Sequence, residues 1–255
     1  MLRRQLDRLR WWLSEQLPAP TIRDLPHRRK LATGCAIVFL IAFTIRLLYW
    51  HDASAEIARG DSTIQALANP YRDEVRRMLD TGGVLYPQGN VDRGDARAIA
   101  HPPGYSIMMA AVTLIVGDPD ATLRLAQILL AAAQAVMIVL IAAELLPGAL
   151  AIIAGLITAF SPHLAYYSIF LSPDSLAVFP ILIAGYLIIR ANKQPRLITI
   201  VGAGILVGLS CWLRSNALFL SLFLSLAVLF LFQRRERLRY AFALTVASFV
   251  VIAKA

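Results

Sequence analysis

The chain is short of charge, of cysteine and of long polar stretches, and each shortage narrows what it can be. Only 16% of its 255 residues are Asp, Glu, Lys or Arg, while 58% are apolar. Soluble domains carry roughly 25% charged and 45–50% apolar residues, and the mean hydropathy of +0.63 lies well to the apolar side of them. A soluble globular fold is excluded. The two cysteines, Cys35 and Cys211, both sit inside apolar runs, where a thiol behaves as a small hydrophobe, so neither suggests a disulfide or a metal site. No internal repeat or low-complexity tract is visible. The first apolar run follows a basic stretch, but it is long and lacks a small-x-small cleavage site, so it reads as a retained span and not a leader. One glycine-rich stretch, "GAGILVG" (Gly202 to Gly208), lies in an apolar run with no strand before it. Close helix packing accounts for it better than dinucleotide binding does.

What is present is a series of apolar runs near the roughly 20 residues a helix needs to cross a bilayer. The pattern predicts an all-α, polytopic transmembrane bundle of about seven to nine apolar segments. The net charge of +9 could suggest nucleic acid, but the arginines crowd beside the apolar runs: Arg3, Arg4, Arg8 and Arg10; Arg28 and Arg29; Arg234, Arg235, Arg237 and Arg239. Such clusters fit loops facing anionic lipid, and a nucleic-acid partner is rejected.

Four regions follow. Residues 1–30 read as a basic interfacial helix and linker, with Leu2, Leu6, Leu9, Leu13 and Leu17 at helical spacing and "PAP" closing the helix. Residues 31–50 form the first span, with Arg46 near its far end. Residues 51–101 form one long polar interval, which holds eight acidic and six arginine residues over His51 to Ala100 and lacks the basic excess of its flanks. Residues 102–255 return to the membrane, with apolar segments at about 102–117, 121–146, 149–161, 174–190, 197–213, 215–233 and 240–253. The basic loops "RANKQPR" and "QRRERLR" place the N-terminus in the cytoplasm and the 51–101 interval, Asp174 and Arg214 outside. Three apolar segments separate His101 from Asp174, an odd number that would put them on opposite faces. Either one segment is re-entrant, or "HLAYYSIFL" completes an extra crossing. The chain ends on "SFVVIAKA", inside an apolar run, which suggests the N-terminal part of a longer protein.

Most polar groups in such a chain need no function. Asp73 and Glu74, in "NPYRDEVRR", look like acids in the first turn of a helix, where they complement the macrodipole and can pair with Arg77. His101, in "AHPPGY", is held near the membrane surface by two prolines that set a rigid start to the next span. It reads either as a phosphate contact or as a solvated loop residue. Asp174, after Pro173, suits a helix cap. Arg214 falls between two apolar runs with almost no loop, and a charge at that depth is a functional candidate by default, with snorkelling as the structural alternative. Arg46 and Arg124 read the same way, less strongly. His163, Tyr166 and Tyr167 resemble an interfacial aromatic belt.

Taken in order, these elements resemble the polytopic GT-C-type glycosyltransferases, whose bacterial members include lipid A aminoarabinose transferases and protein O-mannosyltransferases. The resemblance rests on four stretches: "YRDEVRRMLDTGG", "HPPGYSIMMAAV", "AFSPHLAYYSIFLSPDSLAVF" and "GLSCWLRSNAL". It covers roughly residues 31–220.

The resemblance implies transfer of a sugar from a polyprenyl-phosphate donor in the bilayer to a glycan, lipid or protein acceptor on the extracytoplasmic face of a bacterial inner membrane. An acceptor hydroxyl needs a positioned base, and Asp73 takes that role here, with Glu74, or Asp61 in "RGDST", as the other candidates. The departing lipid phosphate needs cations, for which Arg214 and His101 are chosen and Arg72 is a third. Asp174 and Tyr105 complete the expected substrate-binding set. Direct displacement inverts the anomeric centre. The leaving phosphate is already a stable anion, so the chemistry requires no cofactor, although a divalent metal is compatible with it. A transporter or lipid flippase, or a non-catalytic fragment of such an enzyme, are the competing readings.

Overall fold

The computed structural model describes residues 25–59, 68–83, 102–232 and 236–253. The expected interfacial helix at 1–17, Asp61 and His101 lie outside the described residues. Ten helices are found, and no strand is seen among the described residues. In chain order they are α1 (Leu25–Ala58), α2 (Asn69–Thr81), α3 (Gly104–Val116), α4 (Pro119–Ala143), α5 (Gly148–Phe160), α6 (Pro162–Tyr167), α7 (Pro173–Lys193), α8 (Leu197–Leu213), α9 (Ala217–Leu231) and α10 (Arg237–Ile252). Each apolar segment read from the sequence corresponds to one helix, and the ends differ by only a few residues except in α1, which starts six residues before and ends eight residues after the expected span. Three helices are long and apolar enough to cross a membrane: the stretch Arg29–Ala58 of α1, α4 and α7. The chain is an integral membrane protein with an all-α bundle.

Small residues let the helices approach closely, as packing in lipid requires. One core joins α1, α4 and α5 through Val38, Ala42, Ala132, Ala135, Val139, Ala151 and Ala159, all nearly or fully buried. A second joins α7, α8, α9 and α10 around Ala184, Ile188, Ile200, Ala203, Val228 and Leu244. Within "GAGILVG", a methyl group added at Gly204 would meet the Leu244 carbonyl oxygen at 2.5 Å, and one added at Gly208 would meet Val251 at 2.6 Å. The glycines are spacers between α8 and α10, as their apolar setting suggested. Polar contacts join α9 to α10: Ser221 bonds Ser248, and Ser225 Oγ lies 2.7 Å from Thr245 Oγ1.

The odd crossing count has a physical answer. Glu74 accepts a hydrogen bond from Ser106, in the first turn of α3, while Arg72 pairs with Asp120, just past the end of α3. Residues 72 and 74 are neighbours on one helix, so both ends of α3 lie at the same end of the bundle. The α3 helix is therefore re-entrant, and its apolar tip, Leu114 to Val116, stays exposed. Asp118 then caps α4 by accepting from the Asp120 amide, and α4 runs to the far end of the bundle. There Lys193, at the end of α7, meets Glu144 at 2.8 Å, so α4 and α7 run parallel. The half-way helix puts Asp120, Asp174 and Arg214 at one end, called here the site end.

Candidate functional site

The α2 helix is built to lie against the site end. Pro70 at its start needs no amide partner, and Gly82 closes it in the left-handed conformation at φ 69°, donating its N–H to the Met78 carbonyl. Tyr71, Val75 and Met78 recur at helical spacing and are buried, so one stripe of α2 faces the bundle. Arg72 and Glu74 flank that stripe and bond to α4 and α3. Asp73 lies off it, exposed, with no ion pair or hydrogen bond among the described residues.

This placement corrects two expectations. The acids are not in the first turn of α2, so complementing the macrodipole does not explain them. Neither Asp73 nor Glu74 pairs with Arg77. Glu74 instead accepts from the buried Ser106 hydroxyl at 2.5 Å, a tie between segments that no local pattern marks.

Asp174 also differs from its expected role. Ser172 occupies the cap position of α7 and Pro173 follows it, so Asp174 sits inside the first turn. Its carboxylate pairs with Arg214 Nε at 2.8 Å. Arg214 ends α8 in an extended conformation. Its side chain is 44% exposed and that of Asp174 51%, so the pair stays open to a ligand.

Two packing contacts bring α2 to this pair. A methyl group on Gly104 would lie 2.4 Å from the Trp212 carbonyl oxygen, so the first turn of α3 rests backbone-to-backbone on the end of α8. Tyr71 and Tyr105 meet edge to face, with ring centroids 4.9 Å apart. Burial holds the Tyr71 phenol above its ordinary range; Arg214 pulls the other way, and Asp174 and Glu74 add to the rise. Tyr71 thus stays protonated, and three charged groups from distant segments bear on it. Of the expected residues, Arg72, Glu74, Tyr105, Asp174 and Arg214 converge here.

Tyr105 is fully buried, and its hydroxyl has no hydrogen-bond partner among the described residues. Arg46 and Arg124, expected to snorkel near span ends, are instead 1% and 3% exposed. Arg46 lies in mid-helix because α1 continues to Ala58, two turns past the apolar run. Arg124 donates to the Ile169 carbonyl at 2.8 Å. The sequence missed Ser106, Asp120 and Gln127, and no signal marks them: a serine, a helix-start acid and one glutamine inside an apolar run are common. An apolar groove of about 350 Å³, lined by Leu40, Ile41, Thr44, Ile45 and Phe160, involves none of the site residues. Among the described residues, no three His, Cys, Asp or Glu side chains gather as a metal site.

Residues 100–255 match the family profile described as dolichyl-phosphate-mannose-protein mannosyltransferase. The matched stretch includes Ser106, Asp120, Asp174 and Arg214, while α2 precedes it. No curated protein and no solved structure matches the chain.

Proposed function

The chain belongs to the dolichyl-phosphate-mannose-protein mannosyltransferase family, of the GT-C type, and from this premise we propose that the α2–Arg214 cluster transfers sugar from a polyprenyl-phosphate donor. Membrane glycosyl transfer from a lipid-linked sugar follows from the family in general.

The observation that carries it is geometric: Glu74 is bonded to Ser106 on α3, Arg214 is paired with Asp174 at the end of α8, and these two helices meet backbone to backbone where Gly104 rests on Trp212. An acceptor hydroxyl attacks the anomeric carbon as its proton passes to a carboxylate. The bond from that carbon to the phosphate oxygen breaks, its electron pair stays on the phosphate, and the configuration inverts. Glu74 is assigned the proton. Ser106 anchors one of its oxygens, and the residue turns toward the bundle, whereas Asp73 is exposed. A fixed base is worth roughly 10²–10⁴ in rate. Arg214 is assigned the developing charge on the departing phosphate, where a cation in place beforehand costs no reorganisation. Asp174 holds that guanidinium until the donor arrives, and Arg72, braced by Asp120, faces the same end. His101 is assigned a second phosphate contact because it directly precedes Pro102 and α3. The site end then faces the extracytoplasmic side of a bacterial inner membrane, with the N-terminus cytoplasmic, in accord with the basic 190–196 loop at the opposite end. The acceptor is a hydroxyl of a glycan, lipid or protein.

The test uses the whole chain in proteoliposomes supplied with polyprenyl-phosphate sugar and a bacterial envelope extract as the source of acceptor hydroxyls, and it reads the release of free polyprenyl phosphate. Glu74→Gln is expected to abolish release while membrane insertion stays intact, and Asp73→Asn to retain most of it. The opposite ranking transfers the role to Asp73. Full activity in both variants removes the α2 acids from the chemistry and leaves Asp61 as the remaining candidate.

A further inference from the structure

Beneath the Asp174–Arg214 pair, α4 turns a polar stripe toward the segment that carries Asp174. Arg124 donates to the Ile169 carbonyl at 2.8 Å. Gln127, one turn on, donates to the Ser172 carbonyl at 2.7 Å and to Ser175 Oγ at 2.9 Å. Gln134 donates to the Ser175 carbonyl. Four bonds from one helix therefore grip residues 169–175. Yet Arg124 Nη2, Gln127 Oε1 and Tyr105 Oη, all buried, have no hydrogen-bond partner among the described residues. The three side chains are at most 3% exposed. Tyr105 packs in one core with Leu123, the neighbour of Arg124, and with Leu171 of the gripped turn, so α3, α4 and the 169–175 turn meet at this level.

We propose that Tyr105, Arg124 and Gln127 enclose a site for ordered water, and that this hydrated layer positions Asp174 against Arg214. Leaving such groups dry and unpaired is costly, and buried waters characteristically make about three hydrogen bonds to groups of this kind. The donor–acceptor mix selects water over an anion. The Ser172 carbonyl can only accept, so Gln127 must present Nε2 to it and Oε1 to the layer. An anion could take the Arg124 hydrogen but would face the Gln127 oxygen with nothing to donate. Water accepts from Arg124, donates to Gln127 and exchanges either way with the Tyr105 hydroxyl. Tyr105, expected from the sequence to bind substrate, thereby becomes a positioning residue. The water site stands on packing alone; its effect on turnover rests on the function proposed above.

Two readouts on the full chain separate those parts. The first is thermal unfolding in detergent. Tyr105→Phe removes one oxygen and leaves the ring contacts. If water bridges it, the midpoint falls by about 2–4 °C, and the fall shrinks in a Gln127→Met background, where the bridge is already broken. A midpoint unchanged or raised by Tyr105→Phe overturns the proposal, because removing a dry orphaned hydroxyl is neutral or stabilising. The second is steady-state transfer. Tyr105→Phe is expected to lower kcat with the KM for polyprenyl-phosphate sugar unchanged, as positioning requires. A raised KM with an unchanged midpoint also overturns it, by returning Tyr105 to substrate contact. If no variant, wild type included, transfers sugar, the function fails and the unfolding result still decides the water site.

Discussion

The two ends of the bundle are both tied by charged side chains, but in different ways. At the basic-loop end one strut joins α4 to α7: Lys193 Nζ reaches both the Glu144 carboxylate and the Glu144 backbone carbonyl at 2.8 Å. The Glu144 side chain is only 9% exposed. At the site end Asp174 and Arg214 pair with both side chains about half exposed. An open pair of that kind contributes only about 0–1 kcal/mol to stability. The covered Glu144 carboxylate and the second bond to its carbonyl suit a packing tie, whereas stability gives little reason for the open pair. The difference separates a strut from a pair held ready for a ligand.

The sharpest way to break this contrast is to remove the cation from each end. Arg214→Ala is expected to lower transfer by roughly 10²–10³-fold, the scale of losing one preorganised charge partner in the transition state, and to leave thermal unfolding nearly unchanged. Lys193→Ala should leave transfer intact. Equal losses of activity from both variants, read as polyprenyl phosphate released, would make the two ends equivalent and remove Arg214 from the site. Asp174→Asn comes next. It keeps a hydrogen bond acceptor near Arg214 but frees the guanidinium to wander, and misplacement on that scale costs up to about 10²-fold. A loss confined to kcat would identify Asp174 as an orienting group.

Gly104→Ala is a packing test of the same end. Its added methyl would fall 2.4 Å from the Trp212 carbonyl oxygen, which is backbone and cannot swing aside. Forcing α3 away from α8 is expected to cost about 1–3 kcal/mol of stability and to lower transfer, because Ser106 and Arg214 sit on the two surfaces being parted. A wild-type unfolding midpoint and wild-type transfer in this variant would show that the close approach does not shape the site.

The bundle was legible in the sequence because span length and apolar composition are local properties, and the boundaries of α4, α5, α7 and α8 follow from them almost residue by residue. The re-entrant α3 was legible only as a contradiction. Its composition is that of a span, and what holds both its ends to one face is Arg72 and Glu74 on a different helix. The site was half legible for the same reason. Asp174 and Arg214 draw attention as charges beside apolar runs, but their mutual pairing is a tertiary fact. Ser106 and Gln127 carry no such mark, since their importance lies wholly in what they face. Arg46 and Arg124 misled because a charge near the end of an apolar run ordinarily snorkels, whereas α1 continues past Arg46 and the 169–175 turn covers Arg124.

The smallest expected effect lies at the basic-loop end, and it tests the contrast from the other side. Glu144→Gln removes the charge of the strut but preserves its shape. Lys193 keeps its bond to the Glu144 carbonyl oxygen and, with its own side chain 43% exposed, regains water. Stability should change by no more than about 1 kcal/mol, and transfer should not change at all. A clear loss of transfer with the unfolding midpoint preserved would mean that the two ends communicate along α4 and α7. The parallel run of those helices, from Gln127 and Ser175 at one end to Glu144 and Lys193 at the other, would then act as a rod that carries displacement and not as a passive wall.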